Sequence, residues 1–97
     1  MIGGIGMALM EHSVVDARNG RVPNATLAEY AVPVHADAPP SMEVIFVDEH
    51  DPHVNPLGVK GIAELAIIGV APAITNAIFH ATGKRIRELP VTPDKLL

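Results

Sequence analysis

The feature that most constrains the fold is an apolar segment at residues 65–82, LAIIGVAPAITNAIFHAT. Its apolar residues would occupy nearly every side of a helix, which is typical of a helix buried in a core. Pro72 is expected to kink this helix by leaving the Ile68 carbonyl without its partner, and Gly83 suits the position that ends it. The longest apolar stretch within it, at residues 65–74, is interrupted by Gly69 and Pro72 and falls short of the roughly 18 to 20 residues that cross a membrane. We therefore expect one buried central helix and no membrane contact.

Composition narrows the classes of function. The chain has 97 residues, of which 48% are hydrophobic and 19% charged, so it is predicted to fold as a single domain rather than remain disordered. Two Phe and one Tyr provide no surface for stacking bases, and a net charge of −4 leaves no basic stripe for a phosphate backbone. We therefore expect no nucleic-acid partner. The absence of Cys also excludes thiolate-ligated zinc and iron–sulfur clusters from this chain.

The N-terminal segment is rich in glycine. Residues 1–12 are expected to form a helix, although glycines cost about 0.5 to 1 kcal/mol each in a helix interior relative to Ala. Close approach of another backbone is the simplest reason for them. A phosphate-binding turn is the alternative, but Gly4-Ile5-Gly6 lacks the third glycine and the preceding strand of the dinucleotide-binding fingerprint.

The remaining elements predict an α+β fold. Residues 13–24 predict an antiparallel hairpin around Asn19-Gly20. Residues 42–48, MEVIFVD, predict a strand with two apolar faces. We expect the hairpin and the strand to pack against two helices, at about 1–12 and 65–82, in one small mixed domain.

A connection of fifteen residues, 49–63, follows the predicted strand and contains Pro, Gly and His. Loops of that length within a compact domain are usually functional or disordered. The stretch DEHDPH at 48–53 offers carboxylates and imidazoles to a divalent cation. Because Asp51-Pro52 disfavours the helix that would put His50 and His53 on one face, a solvated loop is the preferred interpretation and a metal site the alternative.

The second part of this connection has the composition of a binding loop. Gly58 and Gly61 allow backbone conformations in which main-chain amides face a ligand, and Lys60 supplies a cation between them. Glu64 comes where the apolar helix begins, and burial among apolar neighbours would suit it to act as a general base. The alternative is a glutamate that only stabilises the start of the helix.

Three stretches carry a resemblance to a known family: GGIGMALMEHSVVD, LAEYAVPVHAD and NPLGVKGIAELAIIGVAPAITNAIFHATGKRIRELPVTPDKLL. They resemble the C-terminal part of the molybdopterin-binding (large) subunit of the xanthine dehydrogenase and aldehyde oxidase family. The resemblance implies that Glu64 is the catalytic base, and that no residue of this chain ligates the metal. It also implies that the backbone at 58–62, which comprises Gly58, Val59, Lys60, Gly61 and Ile62, lies against the molybdenum cofactor. Ala63 and Pro72 depart from the family pattern, where Gly and Ala are usual.

The implied activity is that of a molybdenum hydroxylase, which oxidises an aldehyde or an N-heterocycle with water as the oxygen source. The resemblance puts iron–sulfur clusters and FAD on partner subunits or domains, and the other cofactor-binding loops in the rest of the large subunit. We therefore expect this chain to be inactive and free of cofactor when alone, and to self-associate through surfaces that the rest of the subunit would cover. The alternative is a structural or interaction module that keeps the fold fragment without the chemistry.

Overall fold

The computed structural model of the protein describes residues 1–62 and 64–97. That part of the chain contains three α-helices: α1 (Ile2–Leu9), α2 (Leu65–Ile68) and α3 (Val70–Thr82). Short 3₁₀ turns lie at His35–Asp37 and Pro93–Leu96. Residues 10–62, which follow α1, are irregular apart from turns and the first 3₁₀ turn, and α1 packs against α3. The two predicted helices are therefore present, the first with shorter bounds and the second in two pieces.

The expected α+β fold, with a hairpin and a strand packed against two helices, is wrong. The described residues form no sheet, and the one β-bridge among them joins Asp16 to Arg21. The predicted strand at 42–48 is irregular and exposed, with Ile45 77% and Val47 86% accessible. A strand requires a partner for its backbone N–H and C=O groups, and no described segment forms a ladder with this one. Alternating hydrophobicity indicates that a segment suits a sheet, whereas the sheet itself needs a second strand.

The predicted hairpin is reduced to a turn. Gly20 adopts a φ of +69°, in the region that makes an Asn-Gly pair favourable in turns. Beyond the turn, the side chain of Asn24 joins the two arms. Its Oδ1 accepts a hydrogen bond from the Val14 N–H at 3.0 Å, and its Nδ2 donates to the His12 carbonyl at 2.6 Å. Because Pro23 has no N–H to offer a backbone ladder, a side-chain amide takes that role.

Glycines in α1 allow its contact with α3. A Cβ added to Gly4 would lie 2.6 Å from Cβ of Val70, and one added to Gly6 would overlap a proline ring. The close approach predicted for these glycines is thus found, although it involves side chains rather than another backbone. Ala8, one turn further on, accepts a hydrogen bond from the Val91 N–H at 2.7 Å. Ala8 and Val91 are the buried hydrophobic side chains of the described chain, so its core is very small.

The apolar segment at 65–82 forms two helices separated by Gly69. Pro72 consequently lies in the first turn of α3, where its missing N–H costs no helical hydrogen bond. The interruption that Pro72 predicted is therefore found, but at Gly69. Gly83 ends α3 as predicted, in a left-handed conformation with a φ of +73°.

The burial predicted for this segment is not found. Neither α2 nor α3 contains a buried residue, and Leu65 and Ile68 are 63% and 73% exposed. The stretch Leu65–Thr82 has a mean hydropathy of 1.5 and, contrary to the expectation from Gly69 and Pro72, is long and apolar enough to cross a membrane by length and composition alone. A core helix of a soluble protein meets the same two criteria. Much of its apolar surface is therefore open in this chain.

Candidate functional site

The loop before α2 is folded around the side chain of Asn55. Its Oδ1 accepts hydrogen bonds from the N–H of Leu57 at 3.0 Å and of Val59 at 3.2 Å, and its Nδ2 donates to the Val59 carbonyl at 2.7 Å. Gly58 has a φ of +66°, a left-handed conformation that glycine adopts without strain, and its N–H donates to the Asn55 carbonyl at 3.0 Å. The amides of Gly58 and Val59 are therefore engaged within the loop.

Lys60 joins the end of this loop to its beginning. Its Nζ lies 2.9 Å from Oε1 of Glu49 and 3.1 Å from Oδ2 of Asp51, and the other Asp51 oxygen accepts from the His53 N–H at 2.9 Å. The His53 amide, and then the Lys60 ammonium, lower the pKa of Asp51. Hydrogen bonds to Glu49 and then to Asp51 raise the pKa of Lys60. The cation predicted at this position is thus paired with two carboxylates of the same chain.

This pairing also bears on the metal site considered for 48–53. Glu49 and Asp51 both contact the ammonium group of Lys60, so the positive charge between these two carboxylates comes from the chain itself. Within residues 1–62 and 64–97, no three His, Asp or Glu side chains come together in an arrangement that could hold a metal ion. Glu49 and Asp51 instead form ion pairs that hold the loop together.

Gly61 and Ile62 continue the chain from Lys60 towards α2. Their N–H groups make no hydrogen bond to the described part of the chain. A Cβ added to Gly61 would meet no described atom within 4 Å, and Ile62 is 67% exposed. These two residues therefore present open amides, unlike Gly58 and Val59. The departure at Ala63 lies outside the described residues.

Glu64 begins α2 from an unusual backbone conformation. Its φ of 68° and ψ of −18° lie in the left-handed region, which costs a residue with a Cβ about 1–3 kcal/mol and is found mainly at functional sites. Glu64 is exposed and borders an open recess of ≈ 390 Å³ that Leu65, Ile67 and Ile68 also line. The burial predicted for this glutamate is therefore not provided by the chain itself. Its side chain forms no capping hydrogen bond to α2, so in the alternative interpretation it would stabilise the start of the helix through its charge alone.

The structure divides the predicted site residues by what their polar groups do. Those of Gly58, Val59 and Lys60 hold the loop together. The N–H groups of Gly61 and Ile62 make no hydrogen bond within the described residues, and the Glu64 side chain is exposed and does not cap α2. Three further residues organise this arrangement. Sequence analysis missed Asn55, and it considered Glu49 and Asp51 only as ligands for a divalent cation rather than as partners of Lys60. Asn55 carried a usable signal, because Asn directly before a Pro-x-Gly segment commonly accepts hydrogen bonds from amides further along a turn.

Comparison with known proteins relates these features to a family. Residues 1–39 match the family model of the molybdopterin cofactor-binding domain. The whole chain is 52% identical to part of the aldehyde oxidoreductase molybdenum-binding subunit of Escherichia coli, and spans 13% of its length. A putative xanthine dehydrogenase molybdenum-binding subunit of the same organism is 43% identical over 96% of the chain, which spans 12% of it. An aldehyde oxidoreductase of Megalodesulfovibrio gigas is 36% identical over 97% of the chain, which spans 10% of it. Over its whole length the chain therefore corresponds in sequence to a segment of the molybdenum-binding subunits of aldehyde oxidoreductases and xanthine dehydrogenases.

Proposed function

We propose that this chain is part of a molybdenum hydroxylase that oxidises an aldehyde or an N-heterocycle with water as the oxygen source, and that Glu64 is its general base. The observation that carries the proposal is the isolation of Glu64. No other carboxylate occurs in the sequence between Asp51 and Glu88. This one begins an apolar helix two residues after Ile62, whose N–H, like that of Gly61, makes no hydrogen bond to the described part of the chain. A carboxylate in that position has no nearby substitute in the sequence and makes no cap, so a chemical role explains it best.

The residues before Glu64 suit a large polar cofactor such as molybdopterin. No described atom lies within 4 Å of a Cβ added to Gly61, so the described residues leave room for a ligand to approach its backbone closely. The N–H groups of Gly61 and Ile62 make no bond within the described chain and can donate to oxygen or nitrogen atoms of a ligand. We assign the backbone at 58–62 to the surface against the cofactor, with Gly61 and Ile62 as the donors and the other three residues as their support.

When bound, the molybdenum cofactor supplies the redox centre that accepts two electrons from the substrate. The role of this chain is proton transfer and positioning. Glu64 takes a proton from the oxygen that is to enter the substrate and holds it at a carboxyl oxygen. A positioned base of this kind contributes about 10²–10⁴-fold to the rate. The apolar recess beside Glu64 suits the carbon skeleton of an aldehyde or a heterocycle.

Other parts of the enzyme must lie outside this chain. Because the sequence contains no Cys, it offers no thiolate to an iron–sulfur cluster, so these clusters are assigned to partner subunits or domains. FAD is assigned to a partner as well, on the family resemblance. Glu64 is exposed here, so the rest of the large subunit is needed to complete a closed pocket around it. The 97-residue chain alone is expected to be inactive and to bind no cofactor.

Replacement of Glu64 by Gln tests the proposed base. In the complete molybdenum-binding subunit assembled with its partners, Glu64→Gln should lower kcat by about two orders of magnitude or more, because the amide cannot accept the proton. Molybdenum content measured by mass spectrometry should be unchanged, because the side chain is not assigned to the metal.

Glu43→Gln is the matched control, because Glu43 is an exposed glutamate outside the loop. It should leave both turnover and molybdenum content at the wild-type level. Near-normal turnover in Glu64→Gln would rule out Glu64 as the base. Stoichiometric molybdenum in the purified 97-residue chain would contradict the expectation that the chain alone is free of cofactor.

A further inference from the structure

A cluster of three charged side chains, Lys60, Glu49 and Asp51, closes the loop that precedes Glu64. We infer that Lys60 is a positioning residue: its ammonium, held by Glu49 and Asp51, fixes where the chain leaves the loop and so where Gly61, Ile62 and Glu64 meet the cofactor and the substrate. This inference rests on the proposed function, and it assigns to the Lys60 side chain a role through the chain's own carboxylates rather than through contact with the cofactor. We call the three residues the Lys60 ion-pair cluster.

Two sets of side-chain contacts, which we call the inner and the outer closure, hold the two ends of the loop together. The inner one is the side chain of Asn55, which bonds to both the N–H and the carbonyl of Val59 at 3.2 and 2.7 Å. The outer one is Lys60, which returns the chain to Glu49 at 2.9 Å and to Asp51 at 3.1 Å. Asp51 is itself oriented, because its second oxygen accepts from the His53 N–H at 2.9 Å. Lys60 is therefore the last anchored residue before the open amides.

Anchoring at Lys60 bears directly on Glu64. Only four Cα–Cα steps of about 3.8 Å each separate the two residues, so the position of Lys60 limits the positions that Glu64 can reach. A displacement of about 1 Å in a catalytic group can cost about a hundredfold in rate. Without the outer closure, the connection at 49–60 loses the contacts that join its two ends, and the position of Glu64 becomes less defined.

The cluster is placed to affect geometry more than stability. The side chains of Lys60, Glu49 and Asp51 are 41%, 65% and 31% exposed. Ion pairs this accessible to water contribute little to the free energy of unfolding. Loss of the cluster should therefore leave the protein folded while the loop and Glu64 lose their fixed position.

The test compares four variants of the complete subunit: Lys60→Met, Lys60→Arg, the double variant Glu49→Gln/Asp51→Asn, and the combination of Lys60→Met with that double variant. We expect Lys60→Met and the double variant each to lower kcat by about tenfold to a hundredfold with KM and molybdenum content near wild type. Backbone amides at 53–61 should exchange hydrogen faster in both. The combined variant should be no worse than either, because all of them remove the same interaction. Lys60→Arg should recover most of the loss, since a guanidinium can also bridge two carboxylates.

Arg18→Met is the matched control. It removes another exposed ion pair, Arg18 to Asp16 at 3.1 Å, far along the sequence from this loop, and should change neither kcat nor exchange at 53–61. A direct contact of the Lys60 ammonium with the cofactor predicts the opposite pattern, in which the carboxylate variants are silent and Lys60→Met loses molybdenum. That pattern, or losses that add in the combined variant, would overturn the inference.

The two proposals can fail separately. Near-normal turnover in Glu64→Gln would remove the proposed base, whereas hydrogen exchange at 53–61 reports the closure without any need for catalysis. Exchange that is unchanged in Lys60→Met would overturn the role of the cluster even if Glu64 proves to be the base.

Discussion

Two residues of the loop have protonation equilibria that the fold displaces. The pKa of Asp51 is lowered by the His53 amide first and by Lys60 second. The stabilisation that the Asp51 carboxylate gives to the ion pair with Lys60 is therefore fully present above the ordinary pKa of Asp, about 4. It is lost only as the pH falls through the lowered pKa. The pKa of Lys60 is raised, by Glu49 first. The stabilisation that the Lys60 ammonium gives to these ion pairs is fully present below the ordinary pKa of Lys, about 10.4, and is lost as the pH rises through the raised pKa. The ion pair between Lys60 and Asp51 should therefore persist at every pH between these two limits.

Nuclear magnetic resonance of the two side chains checks this pH window. The carboxyl carbon of Asp51 should titrate below its ordinary range, and Lys60→Met should move the midpoint upwards without restoring it fully, because the His53 amide remains. The Cε signal of Lys60 should titrate above the ordinary range in the wild type and lower in Glu49→Gln/Asp51→Asn. An Asp51 midpoint that Lys60→Met does not move would contradict the pairing.

Single residues were also where the sequence was most informative about the site. The motif at 58–64 singled out Glu64 and the two glycines because short segments rarely contain an acidic residue, a basic residue and two glycines within seven positions. The roles within the motif could not be assigned in the same way. Whether an amide is engaged or open depends on partners such as Asn55, and whether Lys60 faces a ligand or a carboxylate depends on Glu49, eleven residues earlier.

At the scale of elements, predictions succeeded where the cause is local. Gly83 ends α3 because a left-handed cap needs no distant partner, and the break near Pro72 follows from ring geometry. The strand at 42–48 failed because its hydrogen bonds must come from another strand, which no local pattern can guarantee. Burial of the 65–82 segment failed for the same reason, since an apolar helix is buried only where other elements cover it.

The close contact between α1 and α3 predicts how glycine substitutions in α1 change the stability of the chain. Gly4→Ala should destabilise the chain by about 1–3 kcal/mol, because the new Cβ would lie 2.6 Å from Cβ of Val70 and force the helices apart. Gly3→Ala is the control, because its nearest described neighbour, Cδ1 of Ile67, would be 3.9 Å from the new Cβ. That change should stabilise α1 by about 0.5–1 kcal/mol through helix propensity alone. Urea unfolding measures both, and equal effects of the two substitutions would contradict the close packing.

At the scale of the whole molecule, the chain is more open than its length requires. Its accessible surface is 7902 Å², whereas a compact protein of 10.2 kDa exposes about 5,300 Å². Its radius of gyration is 17.7 Å, against about 12.5 Å for a compact domain of this length. The exposed surface includes large apolar side chains such as Ile45, Val47 and Ile68. A surface of this kind is usually covered by another protein surface.

We therefore predict that the 97-residue chain self-associates when it is separated from the rest of the subunit. Light scattering at increasing concentration should give a mass above 10.2 kDa, because association removes the apolar side chains from water. Ile45→Glu/Val47→Glu should shift the chain towards the monomer, since these two side chains are 77% and 86% exposed and a carboxylate there opposes burial. Glu29→Gln, which alters an exposed polar residue, should leave the mass unchanged. A wild-type chain that stays monomeric at high concentration would mean that its apolar surface is tolerated in water, and the need for a covering partner would lose its physical basis.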